Sequence, residues 1–318
     1  MKLSVAVIGT GKMGINHVRT YAAIKNVDLV AVSDLNRRLG KKVAEEFNVN
    51  YYEDYNQMLR KEKPTLVSVC VPTKYHFRVA QDVIKKKINI LLEKPITLNV
   101  NEAQKLLKLS RKYSIKFLVG HIERFNPAVR KVKEMVANGE LGDIIAIAAR
   151  RVGGFPPQIT DANIAVDLSI HDIDIANYLL NELPRKIVVN KRRNHILKRE
   201  DSVEFFLKYK KASAYLQANW ITPVKIRKLT ITGKEGYLEM DYLNQEILFY
   251  KSNYRKFKKR FKNFSDYILQ FSEPDKTVIR VKKKEPLKEE ILYFINCVKY
   301  NTEIDSQFAL NALKIALA

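Results

Sequence analysis

Short apolar runs alternate with amphipathic stretches through the first 120 residues. Lys2–Ile8 and Val27–Ser33 are apolar runs of strand length, and Met13–Ile24 and Asn36–Phe47 carry apolar side chains at helical spacing. Leu66–Val71, Ile88–Leu92 and Lys116–Val119 are further short runs, with helical patterns over Thr73–Lys86 and Asn99–Lys112 between them. Alternation of this kind predicts an α/β fold, a doubly wound parallel sheet with helices on both faces. Such sheets bind ligands beyond the carboxyl ends of their strands. The pattern then changes. Asn163–Leu180 reads as a helix. Lys186–Asn190, Ser202–Lys208, Ala212–Ala218, Leu229–Thr232, Tyr237–Asp241 and Glu246–Tyr250 read as strands, and Pro286–Tyr300 and Ser306–Ala318 as two closing helices.

Composition narrows the class. Of 318 residues 46% are hydrophobic and 10% aromatic, which supports a globular chain with a sizeable core. Two cysteines, Cys70 and Cys297, cannot make a disulfide framework and suit a reducing compartment. The longest apolar stretches, such as Leu66–Pro72, fall far short of the roughly 18 residues of a membrane span. With strand-like sequence starting at Lys2 and no signal peptide before it, a cytoplasmic protein is expected. The net charge of +23 is unusual, but the excess divides almost evenly between residues 1–120 and 121–318. One cluster stands out: Lys251–Lys262 has seven basic residues and no acidic one, with aromatics at helical spacing. It reads first as a surface helix with a solvated basic face, and second as a binding surface for phosphate-bearing ligands, membrane or nucleic acid.

The first strand-to-helix turn holds Gly9-Thr10-Gly11-Lys12-Met13-Gly14, a G-x-G-x-x-G. Gly9 permits the tight turn, Gly11 lets a pyrophosphate approach the backbone, and Gly14 lets helix and strand pack closely. The phosphates then meet the amides and positive dipole of a helix N-terminus. Asp34 stands 20 residues beyond Gly14, at the end of the next strand, where a ribose-binding carboxylate is expected. It would accept from both ribose hydroxyls and repel a 2′-phosphate, favouring NAD, while Arg37 and Arg38 soften that preference. The alternative is an aspartate capping the helix that begins near Asn36.

After Ile88–Leu92 comes Glu93-Lys94-Pro95, with a lysine at a strand end and a proline that fixes the turn, in cis or trans. In the helical stretch Asn163–Leu180, Asp167 and His171 are four apart and so share a face. Asp172 and Asp174 read as solvated or capping. An imidazole there can move a hydroxyl proton near neutral pH, and a lysine ammonium can stabilise developing negative charge. Either Lys94 or His171 can be the base.

Together these motifs resemble the Gfo/Idh/MocA oxidoreductase family. The resemblance rests on Gly9–Gly14 with Met13 and His17, on Pro72-Thr73-Lys74-Tyr75-His76, and on Glu93-Lys94-Pro95. It continues in Gly120–Pro127 and in Asp167-Leu168-Ser169-Ile170-His171-Asp172. It implies a Rossmann domain over residues 1–120 and an α+β domain over 121–318 with an open, mostly antiparallel sheet. The outer face of that sheet would form a homo-oligomer, dimer or tetramer. It also implies Lys94, Asp167 and His171 as catalytic residues. Pro72, Thr73, His76, Glu93 and Lys94 would join the glycine-rich turn in binding NAD.

Arg124 and Asn126, after Lys116–Val119, are placed to meet an anionic or hydroxyl-rich substrate, although Arg124 can equally pair with Glu123. Ala218–Pro223, followed by Lys225, Arg227 and Lys228, together with Gly120–Pro127 resembles the nucleotide-sugar branch that oxidises C3 of UDP-N-acetylglucosamine. Trp220 itself reads as a core residue of the sheet. Inositol or a free aldose is the alternative substrate in the same family. The five histidines are scattered and predict no metal site. Neither a membrane nor a nucleic-acid partner is expected. The rival from another class is an NAD(H) sensor that binds nucleic acid through Lys251–Lys262, which would show as steeply salt-dependent affinity for DNA.

Overall fold

The computed structural model describes residues 2–155, 163–195, 199–252 and 275–318, which fall into two compact units. In the first, strands β1 (Leu3–Ile8), β2 (Val27–Ser33), β3 (Asn50–Tyr52), β4 (Leu66–Val69), β5 (Asn89–Glu93) and β6 (Phe117–Gly120) form one parallel sheet. Its order, β3-β2-β1-β4-β5-β6, reverses direction between β1 and β4, the doubly wound arrangement. Helices α1 (Lys12–Ala22), α2 (Arg37–Phe47), α3 (Tyr55–Glu62), α4 (His76–Lys85) and α5 (Val100–Lys112) connect the strands. One core gathers Val67, Val83, Ile90 and Leu106, and another Val5, Val18, Leu91 and Leu118, so the central strands are mostly apolar because both faces are covered. Asn36 and Asn99 start α2 and α5 by accepting first-turn amides, from Leu39 and from Asn101 and Glu102.

The closing helices α8 (Pro286–Lys299) and α9 (Gln307–Ala316) belong to this unit. Leu287, Ile291 and Phe294 of α8 enter one core, and Ala309, Leu310 and Leu313 of α9 the other. The sequence-contiguous division at 120/121 therefore differs from the compact units: the first runs to Phe125 and takes back residues 285–317.

The second unit is built on an eight-stranded, mostly antiparallel sheet. Its strands are β7 (Ile144–Gly154), β8 (Lys186–Arg192), β9 (Ser202–Lys208), β10 (Ser213–Asn219), β11 (Ile221–Gly233), β12 (Gly236–Asp241), β13 (Glu246–Lys251) and β14 (Lys276–Ile279). Their order is β14-β13-β12-β11-β7-β10-β9-β8, and β7 with β10 is the parallel pair. Ile147, Phe205, Leu216, Ile231 and Leu238 line the buried face, alternating with exposed or half-buried neighbours. Helices α6 (Pro127–Ala137) and α7 (Ile170–Leu180) pack together, and α7 lies against β7 and β10. The expected basic helix over Lys251–Lys262 lies, after Ser252, outside the described residues. No helix among the described residues is long and apolar enough to cross a membrane.

Candidate active site

The glycine-rich turn has the shape the sequence predicts. Gly9 has φ +89°, and a Cβ there would sit 2.7 Å from the Cys70 carbonyl oxygen. At Gly14 a Cβ would come within 1.8 Å of the Gly9 oxygen. Gly11, by contrast, faces open space. No side chain caps the start of α1, so its first amides are available to an anion. Open space, free amides and a left-handed turn together fit a dinucleotide pyrophosphate. Thr10 is buried, and Lys12 and Met13 are exposed.

Asp34 braces this turn. Its Oδ2 accepts from the Thr10 amide at 2.7 Å and the Thr10 hydroxyl at 2.8 Å, and Oδ1 accepts from the Asn36 amide at 2.7 Å. The cap of α2 is Asn36, with Asp34 one bond behind it. Three of the carboxylate's roughly four acceptor positions are thus used inside the protein, leaving about one for a ribose hydroxyl. Arg37 is exposed at the start of α2.

Pro72 is exposed, Thr73 and Lys94 are half-buried, and the Lys94–Pro95 bond is cis. Behind Lys94 lies a chain of buried hydrogen bonds. Glu93 Oε1 meets His17 Nε2 at 2.9 Å, His17 Nδ1 meets Ser68 Oγ at 3.0 Å, and the Tyr21 hydroxyl meets Ser68 at 2.8 Å. Burial pushes the Glu93 carboxyl up, but the His17 hydrogen bond and charge, with Lys94 and His76, outweigh it and hold it below the usual range. Glu290 on α8 is fully buried, and neither carboxyl oxygen meets a hydrogen-bond partner among the described residues. Burial, then repulsion from Glu93, raises its pKa. Ser68, Tyr21 and Glu290 were not anticipated. His17 and Tyr21 stand four apart on α1, and that spacing was the available signal.

In the second unit, Asp167 and His171 are nine-tenths buried. The expected continuous helix is interrupted: Ala165–Ser169 is a π-helical turn, and α7 starts at Ile170. Asn163 supports the turn by accepting from the Val166 amide at 3.1 Å and, through its backbone oxygen, from the Asp167 amide at 2.9 Å. Single π turns recur at functional sites. Asp172 and Asp174, expected to be solvated or capping, are instead buried, because α7 is covered on nearly every side. Asp172 pairs in bidentate fashion with buried Arg151 on β7, Nε to Oδ2 at 2.8 Å and Nη2 to Oδ1 at 2.9 Å. The guanidinium lies over the Tyr242 ring.

Two expected substrate contacts sit differently. Asn126 is buried and serves the fold: Oδ1 caps α6 through the Ala128 amide, and Nδ2 donates to the Tyr242 oxygen, both at 3.0 Å. It is corrected from substrate contact to helix cap. Arg124 is half-buried and stacks on Phe308 of α9, its carbon 3.9 Å from the ring centroid. Trp220 is buried, as a core role requires, with Phe155 packed edge-on 5.8 Å away.

Residues 3–121 match the family model for oxidoreductases with an NAD-binding Rossmann fold, and residues 129–239 match the GFO/IDH/MocA C-terminal domain. The chain belongs to the Gfo/Idh/MocA oxidoreductases. Members of this family bind NAD and oxidise or reduce sugars and polyols. A UDP-N-acetylglucosamine 3-dehydrogenase of Acidithiobacillus ferrooxidans is 27% identical over 78% of this chain and 77% of its own length. A myo-inositol 2-dehydrogenase of Thermotoga maritima is also 27% identical, over 57% of this chain and 55% of its own. The chain spans about half the length of several curated relatives it matches. A solved structure of UDP-N-acetylglucosamine 3-dehydrogenase GnnA from A. ferrooxidans superposes with TM-score 0.87 at 24% identity, covering 100% of this chain and 96% of that one.

Proposed function

We propose that this Gfo/Idh/MocA oxidoreductase is an NAD-dependent sugar dehydrogenase acting on C3 of UDP-N-acetylglucosamine. The observation that carries the substrate assignment is the length of the match to the A. ferrooxidans 3-dehydrogenase. It reaches 252 residues, against 187 for the inositol enzyme at the same identity. In the reaction the C3 hydrogen leaves with its electron pair, the hydroxyl loses its proton, and a 3-keto sugar forms. NAD, when bound, supplies the hydride acceptor. The free amides at the start of α1, in the Gly9–Gly14 turn, would hold its pyrophosphate, Asp34 would hold its ribose, and Pro72, Thr73 and Glu93 would belong to the same binding edge. His171 takes the hydroxyl proton, and Asp167 orients the hydroxyl. The Lys94 ammonium donates a hydrogen bond to the alcohol oxygen and stabilises negative charge as it develops.

The test is to incubate the protein with UDP-N-acetylglucosamine and NAD and follow NADH and product mass. Loss of two hydrogens from the sugar nucleotide with NADH formed is expected. No product with a recycling acceptor present, and turnover of inositol or an aldose instead, would overturn the substrate assignment.

Asp34→Asn keeps the shape and removes the charge that repels a 2′-phosphate. The kcat/KM ratio for NADP over NAD should rise by about tenfold or more, since a charged hydrogen bond is worth about 1.5–3 kcal/mol. An unchanged ratio would remove Asp34 from ribose selection.

We also propose a homo-oligomer joined through the outer face of the eight-stranded sheet. Strand register puts Val188, Phe206 and Tyr215 side by side on that face, and all three are exposed. Light scattering should report a mass of at least two chains, and Phe206→Lys should lower it. A monomeric wild type would refute this. We propose a cytoplasmic location from the reducing compartment that two free cysteines suit.

A further inference from the structure

His76 opens α4 and is 1% exposed. Its Nδ1 lies 2.8 Å from the Pro95 carbonyl oxygen and its Nε2 2.9 Å from the Val71 carbonyl oxygen. Carbonyl oxygens only accept hydrogen bonds, whereas a neutral imidazole has one N–H and one lone pair. In either neutral tautomer a ring lone pair would therefore point at a carbonyl lone pair at hydrogen-bond distance, a repulsion that would open that contact. An imidazolium satisfies both oxygens. We infer that His76 is a buried imidazolium that bridges the loops after β4 and β5 and is a positioning residue for Lys94.

The bridge spans adjacent parallel strands. Val71 follows β4, Pro95 follows β5, and β4 pairs with β5. Lys94 lies directly before Pro95, and its own amide donates to Glu93 Oε2 at 3.2 Å. The lysine backbone is thus held on one side by the Glu93–His17 pair and on the other by His76. The side chain then starts from a fixed point, which matters because small misplacements of a reacting group are costly.

Of the charges around the ring, the Glu93 carboxylate favours the same state. From β5, the Glu93 carboxylate interacts with His76 and attracts an imidazolium, while Lys94 and a protonated His17 oppose it. β4 contributes the apolar Val67 and Val69 to the core it shares with α4. α5 brings Ala103, Leu106 and Leu107 to the core it shares with α4. The positive end of α4, whose first residue is His76, and the cost of burying a charge on this ring both oppose the imidazolium. Two charge-assisted bonds to carbonyls act at direct contact and prevail.

The positioning role rests on the dehydrogenase reading; the protonation state does not. With ¹⁵N-histidine in the full-length protein and no cofactor added, both His76 ring nitrogens should still carry protons at pH 8. That is well above the ordinary histidine pKa of about 6.5. A bare ring nitrogen on His76 at pH 8 would overturn the imidazolium, whatever the enzyme acts on. Trace acetylation followed by mass spectrometry then reads Lys94 without a substrate. His76→Gln, which can donate to only one loop at a time, should change the Lys94 rate several-fold and leave exposed Lys41 unchanged. Equal Lys94 rates would remove the positioning role. If the wild type turns over sugar, the same variant should lose about 100-fold in kcat with KM for NAD nearly unchanged. A dead wild type with a doubly protonated His76 would count against the dehydrogenase reading alone.

Discussion

Lys94→Ala is expected to lower kcat by about 100- to 10,000-fold while NAD still binds, the range a single positioned acid or base supplies. The expectation follows from where the chain spends its buried polar groups. Glu93 is nine-tenths buried and engages His17, Ser68 and Tyr21 in sequence, an expensive network to place behind one turn. Such a network fixes the backbone at Lys94 and leaves the lysine itself half-exposed to a ligand. His171→Ala should fall by a similar factor. A distinguishing readout is available. If His171 is the base, the wild-type kcat/KM falls at low pH through a single ionisation, and that limb disappears in His171→Ala. Fluorescence titration with NADH checks that cofactor binding survives. Wild-type turnover in either variant would end that residue's catalytic role.

Much of the first unit can be read from the sequence because its physics is local and repetitive. A strand buried on both faces must be almost wholly apolar, and Val5–Ile8, Leu66–Val69 with its one hydrogen-bonded Ser68, and Ile90–Leu92 are. The turn at Gly9–Gly14 needs residues without a Cβ at Gly9 and Gly14 for steric reasons, and at Gly11 for the open space a ligand would fill, so motif and geometry coincide. β3 escapes such reading because three residues at an edge carry no period. The assignment of α8 and α9 escapes it for another reason. Which core receives Phe294 or Leu313 is a long-range fact that no local spacing encodes.

The second unit is legible where alternation is regular, as in Ser202–Lys208, and opaque where polar residues are buried. Asn126 looks like a substrate contact because it is polar and follows a strand end, yet its amide is used to start α6. The π turn at Ala165–Ser169 is invisible to a 3.6-residue period. Asp172 and Asp174 look solvated because aspartates usually are. The opposite outcome at Asp172 depends on Arg151, 21 residues earlier, and two single residues have no pattern to announce their pairing.

That pair sets the second large effect. Asp172→Ala should destabilise the protein by about 3–5 kcal/mol, because it strands the Arg151 guanidinium in a buried site without its carboxylate. The double variant Arg151→Met with Asp172→Leu removes both charges and should recover most of that loss, since an apolar pair of similar volume avoids the desolvation cost. Urea denaturation of both variants measures the difference. Activity should not recover in parallel. The pair ties α7 to β7 one residue from His171, and the Tyr242 ring seats the guanidinium from the other side. An apolar replacement restores burial but not the two directional bonds that fix the helix in register. Recovered stability with kcat still low would identify the ion pair as the device that orients His171. Equal recovery of both would make it an element of stability alone. A single variant as stable as the wild type would contradict the burial of this pair.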